Sequence, residues 1–370
     1  MTKTTKIIIA AGILAILAIL TFSLTFYDNK APENNNIKIG FIGPLSGDYA
    51  SVGEIISYSV SLATKEINNK GELNIKVIYE DGKCNAKDAL TAGNKLINID
   101  KVDYILTGCS SGTLALAPIA EQNKVLLMAY ASSAPAVTNA GDYTFRVYKN
   151  DLDAGKSAAE YMYRNGIRKV GALWALNDYT QGLTLTFINE FEKLGGKVVF
   201  KESFETSLDD FRPIITKMKN KGIEAVFLAD YTNGVINYFE QSVELNFNVP
   251  VYGADNLDDP KIAETLGSIF DGSRYVAATE SSSQGFKDKI KEGTGGSLVI
   301  GVANSYDGMN ILVKAIEEVG KNPEDVKNYL YTMPVHKGES GMISFDENGD
   351  IRRVQFELRE IQNGQPVVVG

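Results

Sequence analysis

The segment Thr107-Gly108-Cys109-Ser110-Ser111-Gly112-Thr113 sets four hydroxyls between a short apolar run and a helical pattern. Two chemistries suit it. Hydroxyls beside the free N–H groups of a helix start form a cradle for a carboxylate. The same residues read G-x-S-x-G from Gly108 to Gly112, a strand–turn–helix pattern that can expose a nucleophilic serine, here Ser110. A serine hydrolase also needs a base, and the chain has one histidine, His336. It lies downstream in Met-Pro-Val-His-Lys-Gly, a loop leading into a late strand, and no HGGG-type oxyanion segment precedes Ser110. Hydrolysis by Ser110 is the minor reading and ligand capture the major one. Ordinary helix capping is the plain alternative to both.

Two further positions suit capture. Ser132 and Ser133 follow an apolar strand ending near Tyr130, and Asp255 follows a second one, 251–253. Serines from one side and a carboxylate from the other would bracket a zwitterion, taking its carboxylate and its ammonium respectively. Asn150 to Ser157 (NDLDAGKS) ends like a phosphate loop but lacks its first glycine, and Asp151 and Asp153 would repel phosphate. Acids at a helix start explain it better. Asp346, Asn348, Asp350 and Glu357 resemble part of a calcium loop, yet Ile351 stands where glycine is needed. A surface turn is expected there. No metal and no cofactor are expected.

Composition narrows the class. The 370 residues allow about two domains, and a formal charge of −9 argues against a nucleic-acid partner. Lys3 and Lys6 precede an uncharged run over 7–26, long enough at the helical rise to cross a bilayer. With the positive flank inside, the body lies outside the cytoplasm. The expectation is a single-pass cell-membrane protein anchored by 1–26, with a cleaved signal segment as the alternative, and a polar linker over 27–36. Outside the cytoplasm the only two cysteines, Cys84 and Cys109, are expected to form a disulfide.

The elements that must hold these residues alternate. A strand at 37–42 precedes a helix whose Ile56, Val60, Ala63 and Ile67 fall on one face. Strand–helix pairs continue to 129, restart near 144 and run to 253, and helices at 305–319 and 324–332 precede terminal strands. Repeated βα units predict parallel sheets covered by helices. Two such sets predict an α/β chain with two doubly wound lobes joined by several crossings and a cleft between strand ends. The expected division is 37–148 plus 279–355 for lobe 1 and 149–278 plus 356–370 for lobe 2.

In this order, IKIGFIGPLSGDYASVGE, Tyr79-Glu80-Asp81 with Cys84-Asn85-Ala86-Lys87, GCSSGT, LNDYTQGL, Tyr252-Gly253-Ala254-Asp255 and GMISFDENGD resemble the branched-chain amino-acid (Leu/Ile/Val) binding proteins. That family has the type I periplasmic binding fold of ABC importers, and the likeness runs from Ile37 nearly to the end. It implies a solute-binding protein outside the cytoplasm that is not an enzyme. A monomer would capture an amino acid, branched-chain or otherwise apolar, by hinge closure and hand it to an ABC transporter permease. It also implies that a Cys84–Cys109 disulfide anchors the binding loop, and that Ser110 and Ser133 hold the α-carboxylate. Ser132, through its carbonyl, and Asp255 would hold the amino group, with Tyr179 and Tyr231 closing over the ligand. Tyr306 is a further aromatic candidate. The departures are Ser132-Ser133 for the frequent Ala-Thr, Asp255 for glutamate, and Val52 at a place often aromatic; they leave the ligand side chain open. A ligand-sensing receptor ectodomain for small amides or carboxylates, acting through a partner, is the rival reading.

Overall fold

Apolar residues at the helical period build the first helix: Ile56, Val60, Ala63 and Ile67 are all buried on one side of α1 (Ala50–Asn68). The computed structural model describes residues 36–369 apart from 48, 72, 280, 297 and 353. The apolar run 7–26, and the linker except its last residue, lie outside the described residues.

In chain order the first part is β1 (Asn36–Gly43), α1, β2 (Asn74–Asp81), α2 (Ala86–Lys95), β3 (Tyr104–Gly108), α3 (Ser110–Asn123), β4 (Leu126–Ala131) and β5 (Thr144–Arg146). Its strands form an all-parallel sheet in the order β2-β1-β3-β4-β5. The second part runs α4 (Asp151–Arg164), β6 (Lys169–Ala175), α5 (Asp178–Lys193), β7 (Lys197–Phe204), α6 (Arg212–Met218), β8 (Ala225–Ala229), α7 (Thr232–Glu244), β9 (Val251–Gly253), α8 (Pro260–Leu266) and β10 (Arg274–Ala278). Then come α9 (Gln284–Thr294), α10 (Val302–Val319), α11 (Pro323–Thr332), the short pair β11 (His336–Lys337) and β12 (Met342–Ile343), and β13 (Phe356–Gln362) with β14 (Gln365–Val368). The second sheet has the order β14-β13-β10-β9-β8-β6-β7, antiparallel only at β13 and β14.

The central strands β3 and β8 are buried at every residue, and β8 accordingly reads as an unbroken apolar run. Ile39, Leu106 and Met128 of the first sheet share a core with Leu312 of α10 and Leu330 of α11. The late helices therefore return to the first sheet. Phe227 of the second sheet stacks on Phe187 of α5, ring centroids 4.0 Å apart. The chain passes between the two sheets three times, after β5, after β10 and before β13. The last two passages are tied where the Thr279 N–H donates to the Gln355 carbonyl at 2.9 Å.

Sequence periodicity missed α9, whose buried face is only Phe286 and Ile290 in an otherwise polar stretch. The α-helix α2 ends at Lys95 and the chain continues as one π-helical turn, Leu96–Asp100.

Candidate functional site

Strands end at their carboxyl sides in loops, and in both sheets these loops face one cavity of about 310 Å³. From the first sheet come Ser110 and Ser133; from the second come Tyr179, Asp230, Tyr231 and Asp255. Tyr148 and Lys149, on the first passage between the sheets, also line it. Tyr49 and Tyr231 meet edge to face across the cavity, centroids 4.8 Å apart.

On the first-sheet wall, Cys109 enters α3 with φ 62°, a conformation a non-glycine residue rarely adopts, and this turn swings Ser110 to the helix start. The disulfide to Cys84, 5.2 Å away between Cα atoms, ties that turn to the loop after β2. The Ser110 hydroxyl accepts from the Ala134 N–H at 3.0 Å, so its own proton is free to be donated. Closing a loop over a sequence separation of 25 stabilises the fold by about 3–4 kcal/mol in the chain-entropy account. Replacing both cysteines by alanine is expected to lower the unfolding free energy by about that amount in urea titrations. An unchanged midpoint would show that the turn holds itself.

On the opposite wall Asp255 is not a lone carboxylate. Lys149 Nζ lies 3.1 Å from its Oδ1 and 2.7 Å from Asp151 Oδ1. Tyr148 donates to Asp255 Oδ2, and the Tyr179 hydroxyl to Oδ1 at 3.3 Å. Burial works against the Lys149 ammonium, but Asp151 and Asp255 outweigh it and hold its pKa above the usual lysine value. Burial raises the Asp151 carboxyl, with Lys149 opposing. Tyr148 and Tyr179 are pushed far up by burial and by Asp255, so both stay donors.

Asp230, at the end of β8, is a second cleft acid. It is 3% exposed and accepts the Tyr231 N–H at 2.7 Å. Burial pushes its carboxyl up to about 7, although the Tyr231 bond opposes this. The folded form thus binds the proton more tightly than the unfolded chain, whose aspartates titrate near 3.9. Stability falls as pH rises from about 4 to about 7 and levels off above. Asp230→Asn cannot ionise, so its melting temperature should exceed that of the wild type at pH 8 and match it near pH 4. Equal melting temperatures at both pH values would mean the acid is not strained.

Two expected residues stand elsewhere. Tyr306 packs on Phe286, centroids 5.0 Å apart, and its hydroxyl donates to Glu66; it lines a separate groove with His336. The Ser132 side chain is fully buried and bonded to the Thr113 hydroxyl at 2.7 Å, and its carbonyl accepts from Arg146 Nη1 at 3.2 Å. It is not part of the cavity wall. Ser110 and His336 face different hollows, which removes the base from the hydrolase reading. Asn150 caps α4 by accepting from the Leu152 N–H, with Asp151 and Asp153 in the first turn. The 346–350 segment is a turn in which Asp346 accepts from the Asn348 and Asp350 N–H groups, but Asp350 is buried against Arg146 at 2.6 Å. Among the described residues no group of histidines, cysteines and acids could hold a metal.

A family model described as periplasmic binding protein matches residues 36–364. The chain belongs to the periplasmic binding protein family. Among curated members, the leucine-, isoleucine-, valine-, threonine- and alanine-binding protein of Pseudomonas aeruginosa is 26% identical over 342 residues, 88% of this chain and 90% of that one. A leucine-binding protein of Thermotoga maritima superposes with a TM-score of 0.84 at 26% identity, over 90% of this chain and 98% of that one. The branched-chain amino-acid transporter substrate-binding protein of Streptococcus pneumoniae, solved with isoleucine, gives 0.81 at 23%, over 90% and 99%. The two-lobed α/β architecture is that of these periplasmic binding proteins. Membership corrects the expected single-pass membrane localisation: the family is periplasmic, and among the described residues no helix is long and apolar enough to cross a membrane.

Proposed function

We propose that this chain is the solute-binding component of an ABC importer and captures an amino acid, branched-chain or otherwise apolar, by closing its two lobes. The observation that carries this is a charge deficit. Two carboxyl groups, Asp151 and Asp255, face the single ammonium of Lys149, and all three are nearly enclosed. Buried charges are tolerated when paired, and this cluster is one cation short. The α-ammonium of an amino acid supplies it, at Asp255 and beside Tyr179.

Its α-carboxylate would then lie at the start of α3, taking the Ser110 and Ser133 hydroxyls and backbone N–H groups. The side chain would meet Val52, Ile56, Tyr130, Leu298, Val299 and Ile300, all on the cavity wall. Tyr231 comes from the other lobe and closes over it. Closure would rotate 37–148 with 279–355 against 149–278 with 356–370 about the three passages, as hinges do when a few connecting residues absorb the motion. The closed face would be what the permease recognises.

Isothermal titration calorimetry of residues 37–370 against the twenty amino acids tests this. Saturable binding of leucine, isoleucine or valine with a negative heat-capacity change is the expected result. Binding of no amino acid would overturn the reading.

A further inference from the structure

The acids of the second-sheet wall are not equivalent. Asp255 has Lys149, and Asp258 has Arg359 at 3.0 Å and the Tyr275 hydroxyl. Asp259 accepts from the Thr232 hydroxyl and the Lys261 N–H. Asp230 lines the same cavity, is almost fully buried, and has no ion-pair partner among the described residues. One of its oxygens takes the Tyr231 N–H. The other, Oδ2, lies over the first turn of α7, where a Cβ on Gly234 would come within 1.8 Å of it. Glycine at 234 therefore keeps room for this carboxylate. An acid near a helix start can serve the helix alone. Such an acid, however, gains from water, and this one has been taken out of water and set on the wall of a ligand cavity.

We propose that Asp230 is a second ligand contact, accepting from a nitrogen donor at the side-chain end of a bound amino acid. The cleft then takes amino acids whose side chains end in an N–H group as well as aliphatic ones. This rests on the amino-acid reading above and adds a second polar pole to it. The shared chemistry is an N–H donor, from an amide or from a cation. A cation pairs with the ionised carboxylate, whereas an amide can bond either form. An aliphatic side chain leaves Asp230 to hold its own proton as the cleft dries.

The test is calorimetry of leucine, glutamine and lysine with the wild type and with Asp230→Asn, at pH 8. The asparagine keeps the acceptor for the Tyr231 N–H and the size of the side chain, and removes the charge. Wild-type protein should bind lysine or glutamine measurably beside leucine. Asp230→Asn should weaken lysine at least about tenfold more than leucine, the scale of one charge-assisted hydrogen bond. If glutamine is the ligand, Asp230→Leu should weaken it by a similar excess, and circular dichroism would verify the fold of both variants. Leucine binding with neither lysine nor glutamine bound overturns this proposal alone. An equal loss for all ligands would show Asp230 to be structural and overturn it too. Binding of none of the three would overturn the amino-acid reading beneath it.

Discussion

Asp255→Ala is expected to lower leucine affinity by about 100-fold or more, with the unfolding free energy in urea changing by no more than about 1–2 kcal/mol. The carboxylate gathers Lys149, Tyr148 and Tyr179 around one point of the cavity wall. Removing it leaves a ligand ammonium desolvated and unpaired in the closed cleft, and losing one partner of a buried charge pair costs about 2–5 kcal/mol. Asp255→Asn should fall between, because the amide oxygen still accepts but carries no charge. An alanine variant that binds leucine as tightly as the wild type would mean that the ammonium sits elsewhere.

The second large effect concerns stability. Lys149→Met removes the one cation from a cluster in which Asp151 is fully buried and Asp255 nearly so. Breaking a buried pair by deleting one partner leaves an uncompensated charge and costs about 3–5 kcal/mol. The variant should therefore unfold at clearly lower urea. Adding Asp151→Asn should restore part of the loss, since it removes the stranded acid, and the two changes should be strongly non-additive. If the double variant is less stable than Lys149→Met by the full effect of Asp151→Asn alone, the three groups do not act as a unit.

Much of the scaffold could be read from residue order. The 3.6-residue recurrence of Ile56, Val60, Ala63 and Ile67 is the buried face of α1 itself. The buried strand β8 and the first three residues of β3 show as apolar segments because these central strands are buried at every residue. The helix start at Ser110, on the cavity wall, was legible because its ingredients are contiguous: hydroxyls, glycines and a helical pattern. The Cys84–Cys109 bond was legible because there are only two cysteines to pair.

What was missed has a common cause. Lys149 looks like any lysine before a helix, and only its approach to Asp255, 106 positions on, turns it into part of the wall. Asp230 looks like a polar residue ending a strand, and only the folded chain shows it buried on the cavity wall. Ser132 and Ser133 are neighbours in an extended segment, where adjacent side chains point to opposite sides. One faces the cavity and the other the core, and local pattern does not say which. Tyr306 sits on a helix face turned toward α1 and α9, a choice made by how α10 docks and not by its own residues.

The most direct test of the charge-deficit account compares leucine with 4-methylpentanoate, the same skeleton without the amino group, on the wild type and on Asp255→Ala. Wild-type protein should prefer leucine by about 100-fold or more, and the alanine variant should lose most of that preference, since it has lost the group that the ammonium completes. A wild type that binds both equally, or a preference that survives intact in Asp255→Ala, would contradict it.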